Sequence, residues 1–536
     1  MFDLNGVNNV SGSYSTQVED FRIDSPAMDV AVTRTYNSNN IKVVNGTVQE
    51  DGWSFNFESS ISEKYDGIYK RVTASALNLR QEPPNIEQLT YLDPMQWRII
   101  KSLAYGSIVE FEGYMLGSKW IKVKTIDGMY TGWVCTDYIE DADGIEVTYP
   151  SGAKAIFKPT GNGKYLPPQG IYDDLRDLGN NVFRLTTKDD QITYEYHDGK
   201  LVKIIDRYGN TIKYHYENGK LKKIYDCDPN NENNSIGRIL TFSYEGNKVR
   251  SIQDNSGRTV TYTYNNDGML ETVEDLNGYT TKYLYYPADD EIEGQRHKLK
   301  TISKINDSNE EVKILTNVYD GYGRMYKQYD TEGRPTYYLY TDLICDEKGE
   351  QPTDKNEVAR TVIDKRGKIS KEIYNINFAG KPLKTIDAKG RETTYKYEIR
   401  HNTGIIDITN FTYNDLKKSP AYDDIRNKNL PEIVTTTFNG STTKVEKDEK
   451  GNTIMITYPD NSTRKFSYYE NGDLMYEIDQ MNRQTFYMYE NYESYQEKGV
   501  TKYRSRLTRI VKPQDPGVYI QAQNCRQIMF LKQAML

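Results

Sequence analysis

Apolar and polar residues alternate along much of this chain, and short clusters of Asp, Asn and Gly interrupt the alternation. Thr211–Glu217 (TIKYHYE), Thr259–Tyr264 (TVTYTY) and Thr280–Tyr285 (TTKYLY) are representative runs. A period of two puts every second side chain on one face, so these runs predict half-buried strands. The interruptions are themselves regular. From Asp206, Gly209 follows at +3 and tyrosines follow at +8 and +10. The same offsets recur from Asp254 (Gly257), Asp275 (Gly278), Asp330 (Gly333) and Asp387 (Gly390). Asp448 keeps the Gly and the second Tyr, Asp479 keeps both tyrosines with Asn482 for the Gly, and Asp364 keeps Gly367 and Tyr374.

Asp at the first position of a turn accepts hydrogen bonds from the backbone ahead of it. Gly or Asn at the fourth takes the positive φ that other residues resist. A type I turn ending in a left-handed residue is a common hairpin closure. The other arm of each hairpin carries Leu221 and Ile224, Val249 and Ile252, or Leu270 and Val273, and a second turn (Tyr216–Gly219, Asn265–Gly268) leads to the next unit. Asp206 to Asp226 spans 20 residues and Asp254 to Asp275 spans 21. The expectation is an all-β fold in which antiparallel hairpins stack side by side into one long twisted sheet. Such a sheet either exposes its edges or curls to hide them. Turn capping is favoured over calcium binding for the repeated aspartates, because the oxygen-ligand spacing of calcium loops is absent.

Composition sharpens this picture. The chain has 47 Tyr against 14 Phe and 4 Trp, so its core must accommodate many hydroxyl tips. Inward packing of the paired tyrosines is favoured over a sugar-stacking surface. The net charge of −8 comes from 69 basic and 77 acidic residues that are interspersed, which argues against nucleic-acid binding. No run of 18 apolar residues suggests a membrane-spanning helix. The four His and four Cys (Cys135, Cys227, Cys345, Cys525) are scattered, without metal, redox or disulfide spacing. Neither cofactor nor metal is expected. No nucleophile–base pair or carboxylate dyad stands out, so the chain reads as non-enzymatic.

The Asp/Gly/Tyr/Tyr recurrence resembles the RHS/YD-repeat family over roughly residues 190–489. That resemblance implies a curled, hollow β-shell around a C-terminal toxic domain, in bacterial polymorphic toxins or wall-associated surface proteins. A secreted or cell-surface location follows, although the first residues show no basic stretch leading into an apolar one. DFRIDSPAMDVAVTRTYNS (Asp20–Ser38) and GWSFNFESSI (Gly52–Ile61) are similar to the domain that precedes such repeats, and Val147–Gly170 to its continuation. Between them, VTASALNLRQEP (Val72–Pro83) and Tyr105–Glu140 resemble a bacterial SH3-like domain, with a longer loop at Asn85–Ile100. Small barrels of that kind bind wall peptides or glycans, and Trp120, Tyr130, Trp133 and Tyr138 are the candidate ligand residues here; a core role for the tryptophans stays open.

The expected organisation is an N-terminal domain at 1–69 and 141–189, the SH3-like insertion at 70–140, repeats at 190–490 and a tail at 491–536. The tail reads as an arbitrary end, and Gln514–Val518 (QDPGV) as a loop. The leading functional reading is a structural segment that encapsulates or displays an effector, with a toxin domain outside this chain as partner. The alternative is a free-standing adhesion or carbohydrate-binding protein using the tyrosine-rich strands. A wall hydrolase is disfavoured because no catalytic constellation is visible.

Overall fold

The computed structural model describes residues 3–512 except 4, 10, 26–27, 45, 65–66, 68, 75, 82–98, 105–106, 117–118, 126–129, 142–143, 162, 229–230, 307, 342–356, 376–380, 412, 422–423, 426–427 and 498–499. The long SH3-loop expected at Asn85–Ile100 therefore lies almost wholly outside the described residues, as does QDPGV. The fold is all-β and antiparallel, and its helical structure includes the short α-helix Tyr413–Lys418. The chain divides into two compact units, Met1–Thr394 with Ile408–Lys428, and Tyr395–Asp407 with Asn429–Leu536.

In the first unit the repeat sheet starts at strand Gly144–Thr148 and proceeds in sequence order, each strand antiparallel to the next. Local turn chemistry dictates this order. At Asp206 the carboxylate Oδ1 accepts the N–H groups of Tyr208 (2.8 Å) and Asn210 (2.9 Å). The Gly209 N–H bonds back to the Asp206 carbonyl at 3.1 Å, with φ +90° at Gly209. Asp254, Asp275, Asp330 and Asp387 make the same pair of carboxylate bonds. Asn265 and Asn306 use their amide oxygens in the same way in the connecting turns.

Gly257 and Gly278 sit at φ +92° and +83° with open space where a Cβ would stand, so only backbone strain opposes a larger residue there. Gly257→Val or Gly278→Val is expected to cost more than about 1 kcal/mol in denaturant unfolding, and Asp254→Asn less, because Asn caps the same way. An unchanged midpoint for both Val variants would contradict the turn geometry.

Three further elements complete the unit. Strands Ser15–Ile23, Val30–Val44 and Thr47–Phe55 form a small N-terminal sheet. Its apolar residues Phe21, Val32, Tyr36 and Phe55 share one core with Phe242, Tyr262, Tyr283 and Tyr319 of the repeat sheet. Strand Ser60–Lys64 then joins the repeat sheet by pairing with Gly144–Thr148, from Ser60↔Thr148 to Lys64↔Gly144. This pair joins the two parts of the expected N-terminal domain, and the second part opens the repeat sheet.

Between Lys64 and Gly144 the chain builds a seven-stranded sheet of its own. Its order is Ile139–Asp141, Tyr69–Val72, Ile108–Leu116, Trp120–Thr125, Thr131–Cys135, Ala76–Arg80 and Ile99–Ala104. It encloses a separate core containing Val72, Leu77, Leu79, Val109, Val123 and Val134.

In the second unit the hairpins continue from Glu432–Phe438 to the pair Gln484–Glu497 and Val500–Val511. Strand pairing thus runs past residue 490, where the sequence pattern suggested a tail. The Tyr offsets end there, but TKYRSRLTRIV still alternates well enough to pair.

Candidate functional site: the tyrosine face of the repeat sheet

In four pairs of the first unit the first tyrosine points into the common core: Tyr214, Tyr262, Tyr283 and Tyr338 are all buried, whereas in the Asp387 pair Tyr395 is half-buried and Tyr397 is the buried member. At Tyr216, Tyr264 and Tyr285 the second sits where the hairpin carries a β-bulge, and the lone Tyr319 does likewise, whereas Tyr340 pairs with Arg360 in regular register. Tyr216 faces Leu221 across such a shift, Tyr264 faces Leu270, Tyr285 faces Leu299, and Tyr319 faces Met325. A bulge breaks the ladder locally and leaves backbone groups in need of partners.

The tyrosine hydroxyls supply those partners, one hairpin back. Tyr216 donates to the Leu201 carbonyl at 2.9 Å, Tyr264 to Val249 at 2.9 Å, Tyr285 to Leu270 at 2.8 Å and Tyr340 to Met325 at 2.9 Å, each reaching 15 residues back. Tyr319 does the same to Leu299 at 3.0 Å, across a longer connection. In the second unit Tyr468 bonds the Thr453 carbonyl at 2.9 Å. The acceptors Leu201, Leu270, Leu299 and Met325 are the residues that face the bulge tyrosines Tyr196, Tyr264, Tyr285 and Tyr319.

This arrangement explains why the position is Tyr and not Phe. Tyr264→Phe keeps the ring but strips the Val249 carbonyl of its donor, an expected loss of about 1–3 kcal/mol in denaturant unfolding. A Phe variant as stable as the parent would remove the hydroxyl from the explanation.

Cations accompany the ladder. The ammonium groups of Lys200, Lys220 and Lys248 lie 5.5, 5.5 and 5.4 Å from the ring centroids of Tyr216, Tyr244 and Tyr264. Each Lys directly precedes a bulge-facing Leu or Val, a Lys–Leu signal that the Asp/Gly/Tyr/Tyr reading did not include. The reading also did not include the Arg that follows the turn's Gly or Asn. Arg258, Arg324, Arg334, Arg391 and Arg483 each bond the aspartate four residues earlier.

At Asp330, Asp364 and Asp387 the turn contacts favour the charged carboxylate. The Arg391 side chain and backbone N–H bring Asp387 down to about 2. The backbone N–H of Arg334 lowers Asp330, and that of Lys368 lowers Asp364. A depressed folded-state value contributes stability above the unfolded value, near 3.9, which is lost as pH falls through the folded one. Thermal stability should therefore fall from about pH 4 to about pH 2. Asn at these three positions should flatten that fall.

The largest buried charge cluster ties the N-terminal sheet to this face. Arg34 Nε reaches both carboxylate oxygens of Asp20, at 2.9 and 2.8 Å, and its Nη2 donates to the Tyr283 hydroxyl at 2.8 Å. The Tyr262 hydroxyl donates to Asp20 at 2.9 Å. The guanidinium lies 4.6 Å from the Trp53 ring centroid and 5.1 Å from that of Tyr283. Burial pushes the Asp20 carboxyl up, against the pull of Arg34 and Tyr262.

The candidate ligand residues of the inserted sheet lie elsewhere. Trp120, Tyr130 and Tyr138 are 4%, 4% and 9% exposed and belong to its core, and only Trp133 is half-buried. The three buried rings pack in the core of the module. Lys101 lies over the Tyr130 ring, 5.0 Å from its centroid. At the seam with the repeat sheet, Glu140 pairs with Arg71 of the module and, at 3.4 Å, with Lys158 of the adjoining strand. Cys135 is buried. Among the described residues no group of three His, Cys, Asp or Glu gathers to hold a metal, and no helix is long and apolar enough to cross a membrane.

Comparison with known proteins adds the following. Residues 5–76 match a family model described as a domain of unknown function, DUF6531. No curated protein matches. Among solved structures, the chain is similar to the TcdB2-TccC3 complex lacking its hypervariable C-terminal region, at 11% identity and a TM-score of 0.35, covering 92% of this chain and 22% of that one. A Photorhabdus luminescens Tc holotoxin pore gives 10% identity and a TM-score of 0.32, with 89% and 22% coverage. A porin-like protein of Bacteroides uniformis gives 12% and 0.13, with 67% and 95% coverage. The chain thus spans about a fifth of the length of the Tc structures it resembles.

Proposed function

We propose that this chain is a structural, non-catalytic segment of an RHS/YD-repeat protein, built to enclose or display an effector at or beyond the bacterial surface. The observation that carries this reading is the tyrosine ladder. Its hydroxyls are committed to the sheet's own backbone carbonyls, as a scaffold requires and a substrate site does not. Assays of the purified chain against peptidoglycan, protein and nucleic acid should show no turnover. Reproducible hydrolysis abolished by one point substitution would overturn the proposal.

The module at 70–140 is proposed to be an SH3-like insertion that attaches the segment to a wall peptide or glycan. The support is its separate core and the pairing of Lys64 with Gly144, which brings its two ends together. With most of its aromatics packed inside, any ligand face would centre on Trp133. Cell-wall sacculi should sediment the full chain but not a form in which 65–143 is replaced by a short Gly/Ser bridge. Equal sedimentation of both forms would remove the anchoring role. A bridged form that fails to fold would count against an independent insertion.

A second reading, glycan adhesion, draws on the outward aromatic group Tyr326, Tyr329 and Tyr337, whose rings surround the Lys327 ammonium at 5.7, 5.5 and 4.8 Å. A soluble-glycan pull-down that fails with Tyr337→Ala but not with the parent would favour it.

A further inference from the structure

The bulge-facing residues have two polar backbone groups, and the ladder accounts for only one. At Leu270, Leu299 and Met325 the carbonyl receives a tyrosine hydroxyl from the following hairpin. The amide N–H of each points to the N-terminal segment instead. Leu270 N–H donates to Asp51 Oδ2 at 3.0 Å, Leu299 N–H to the Tyr36 hydroxyl at 2.8 Å, and Met325 N–H to the Gly12 carbonyl at 2.7 Å. Three successive bulges thus meet three acceptors from three parts of one segment. Tyr36 and Leu299 are fully buried and Asp51 is 4% exposed, so water cannot substitute at these points.

We infer that the bulges of the repeat sheet form a recognition surface for a polypeptide laid across the strands, and that the N-terminal segment Gly12–Phe55 fills it in cis. The partner is defined by chemistry. It presents one hydrogen-bond acceptor for every second repeat strand, a pitch of about 9–10 Å set by strand spacing, and an apolar side to the buried tyrosines. The acceptors need not be alike: a carboxylate, a phenol and a carbonyl all serve. The donors are alike, because these three bulges free the same backbone group. Neighbouring contacts reinforce the fit. Trp53 Nε1 donates to the Tyr285 hydroxyl at 2.9 Å, and Asn5 Nδ2 to the Tyr338 hydroxyl at 2.9 Å. Lys298 Nζ donates to the Ser38 carbonyl at 2.5 Å.

Gly12 shows how closely the surfaces meet. A Cβ there would stand 2.7 Å from both the Arg324 Cβ and the Tyr340 hydroxyl, and Gly12 is at φ +68°.

Amide hydrogen exchange on the full chain tests this. Leu270, Leu299 and Met325 should all be protected in the parent. Tyr36→Phe, which keeps the ring, should speed exchange at Leu299 at least tenfold and leave Leu270 and Met325 as they were. Asp51→Ala should do the same at Leu270 alone, and Asp51→Asn, which keeps an acceptor, should not. Unprotected amides in the parent, no change in the variants, or equal acceleration at all three sites would overturn the inference. Should Tyr36→Phe fail to fold, the Asp51 pair carries the same test at Leu270.

Discussion

Arg34→Met is expected to destabilise the first unit by about 3–5 kcal/mol, the cost typical of removing one partner from a buried ion pair. Asp20 would keep its buried position and lose both bonds to the guanidinium, with only Tyr262 left to donate to it. Replacing both residues, Arg34→Met with Asp20→Leu, should restore much of the loss, since no uncompensated charge remains. The pH response separates this mechanism from simple loss of packing. In the single variant the Asp20 pKa, already raised by burial, should rise further. A raised acid pKa in the folded state means stability is present at low pH and lost as pH climbs through it. The penalty should therefore shrink on mild acidification. Chemical denaturation at two pH values measures both effects, and a pH-independent loss below about 1 kcal/mol would contradict the account.

Trp120→Ala should cost the inserted module about 3–5 kcal/mol, the range for emptying a large aromatic site in a core. Trp120 is 4% exposed and packs with Val72, Leu79 and Ile121. Removal of so much buried area from a sheet of seven short strands should leave residues 69–141 open to protease while the repeat sheet keeps its resistance. Trp133→Ala should be milder, because that ring is only half-buried, which makes it the better variant for any ligand test. Undiminished protease resistance in the Trp120 variant would mean that its side chain is not part of the core.

What the sequence disclosed follows from the range of the interactions. The Asp–Gly turns could be read directly, because the carboxylate bonds backbone only two and four residues ahead. Strand and hairpin order followed from those turns. The ladder was half visible: the tyrosines were found, but not their acceptors, since a reach of 15 residues depends on which bulge opens a carbonyl. The salt bridge from Arg334 back to Asp330 lies within the span of the motif, but the Asp/Gly/Tyr/Tyr pattern does not specify it, since the residue after the glycine varies from repeat to repeat. The docking of the N-terminal sheet could not be read at all. Asp20 and Tyr262 are 242 residues apart, and no local pattern announces that pair. The module illustrates a different limit. Trp and Tyr serve a core and a groove equally well, and only folding assigned Trp120, Tyr130 and Tyr138 to the inside.

The ladder also bears on how the chain would behave under tension. Each tyrosine hydroxyl fastens its own hairpin to the one before it. A pull on the chain that peels the sheet strand by strand loads these fastenings one at a time, not all together. Extension should then proceed as a series of small ruptures, each releasing one repeat. Where the repeats are 20 residues apart, as from Asp206 to Asp226, a step should lengthen the free chain by about 65–70 Å. A protein drawn through a narrow opening would on this account come apart as a ratchet of separate steps, with the force set by a single tyrosine contact.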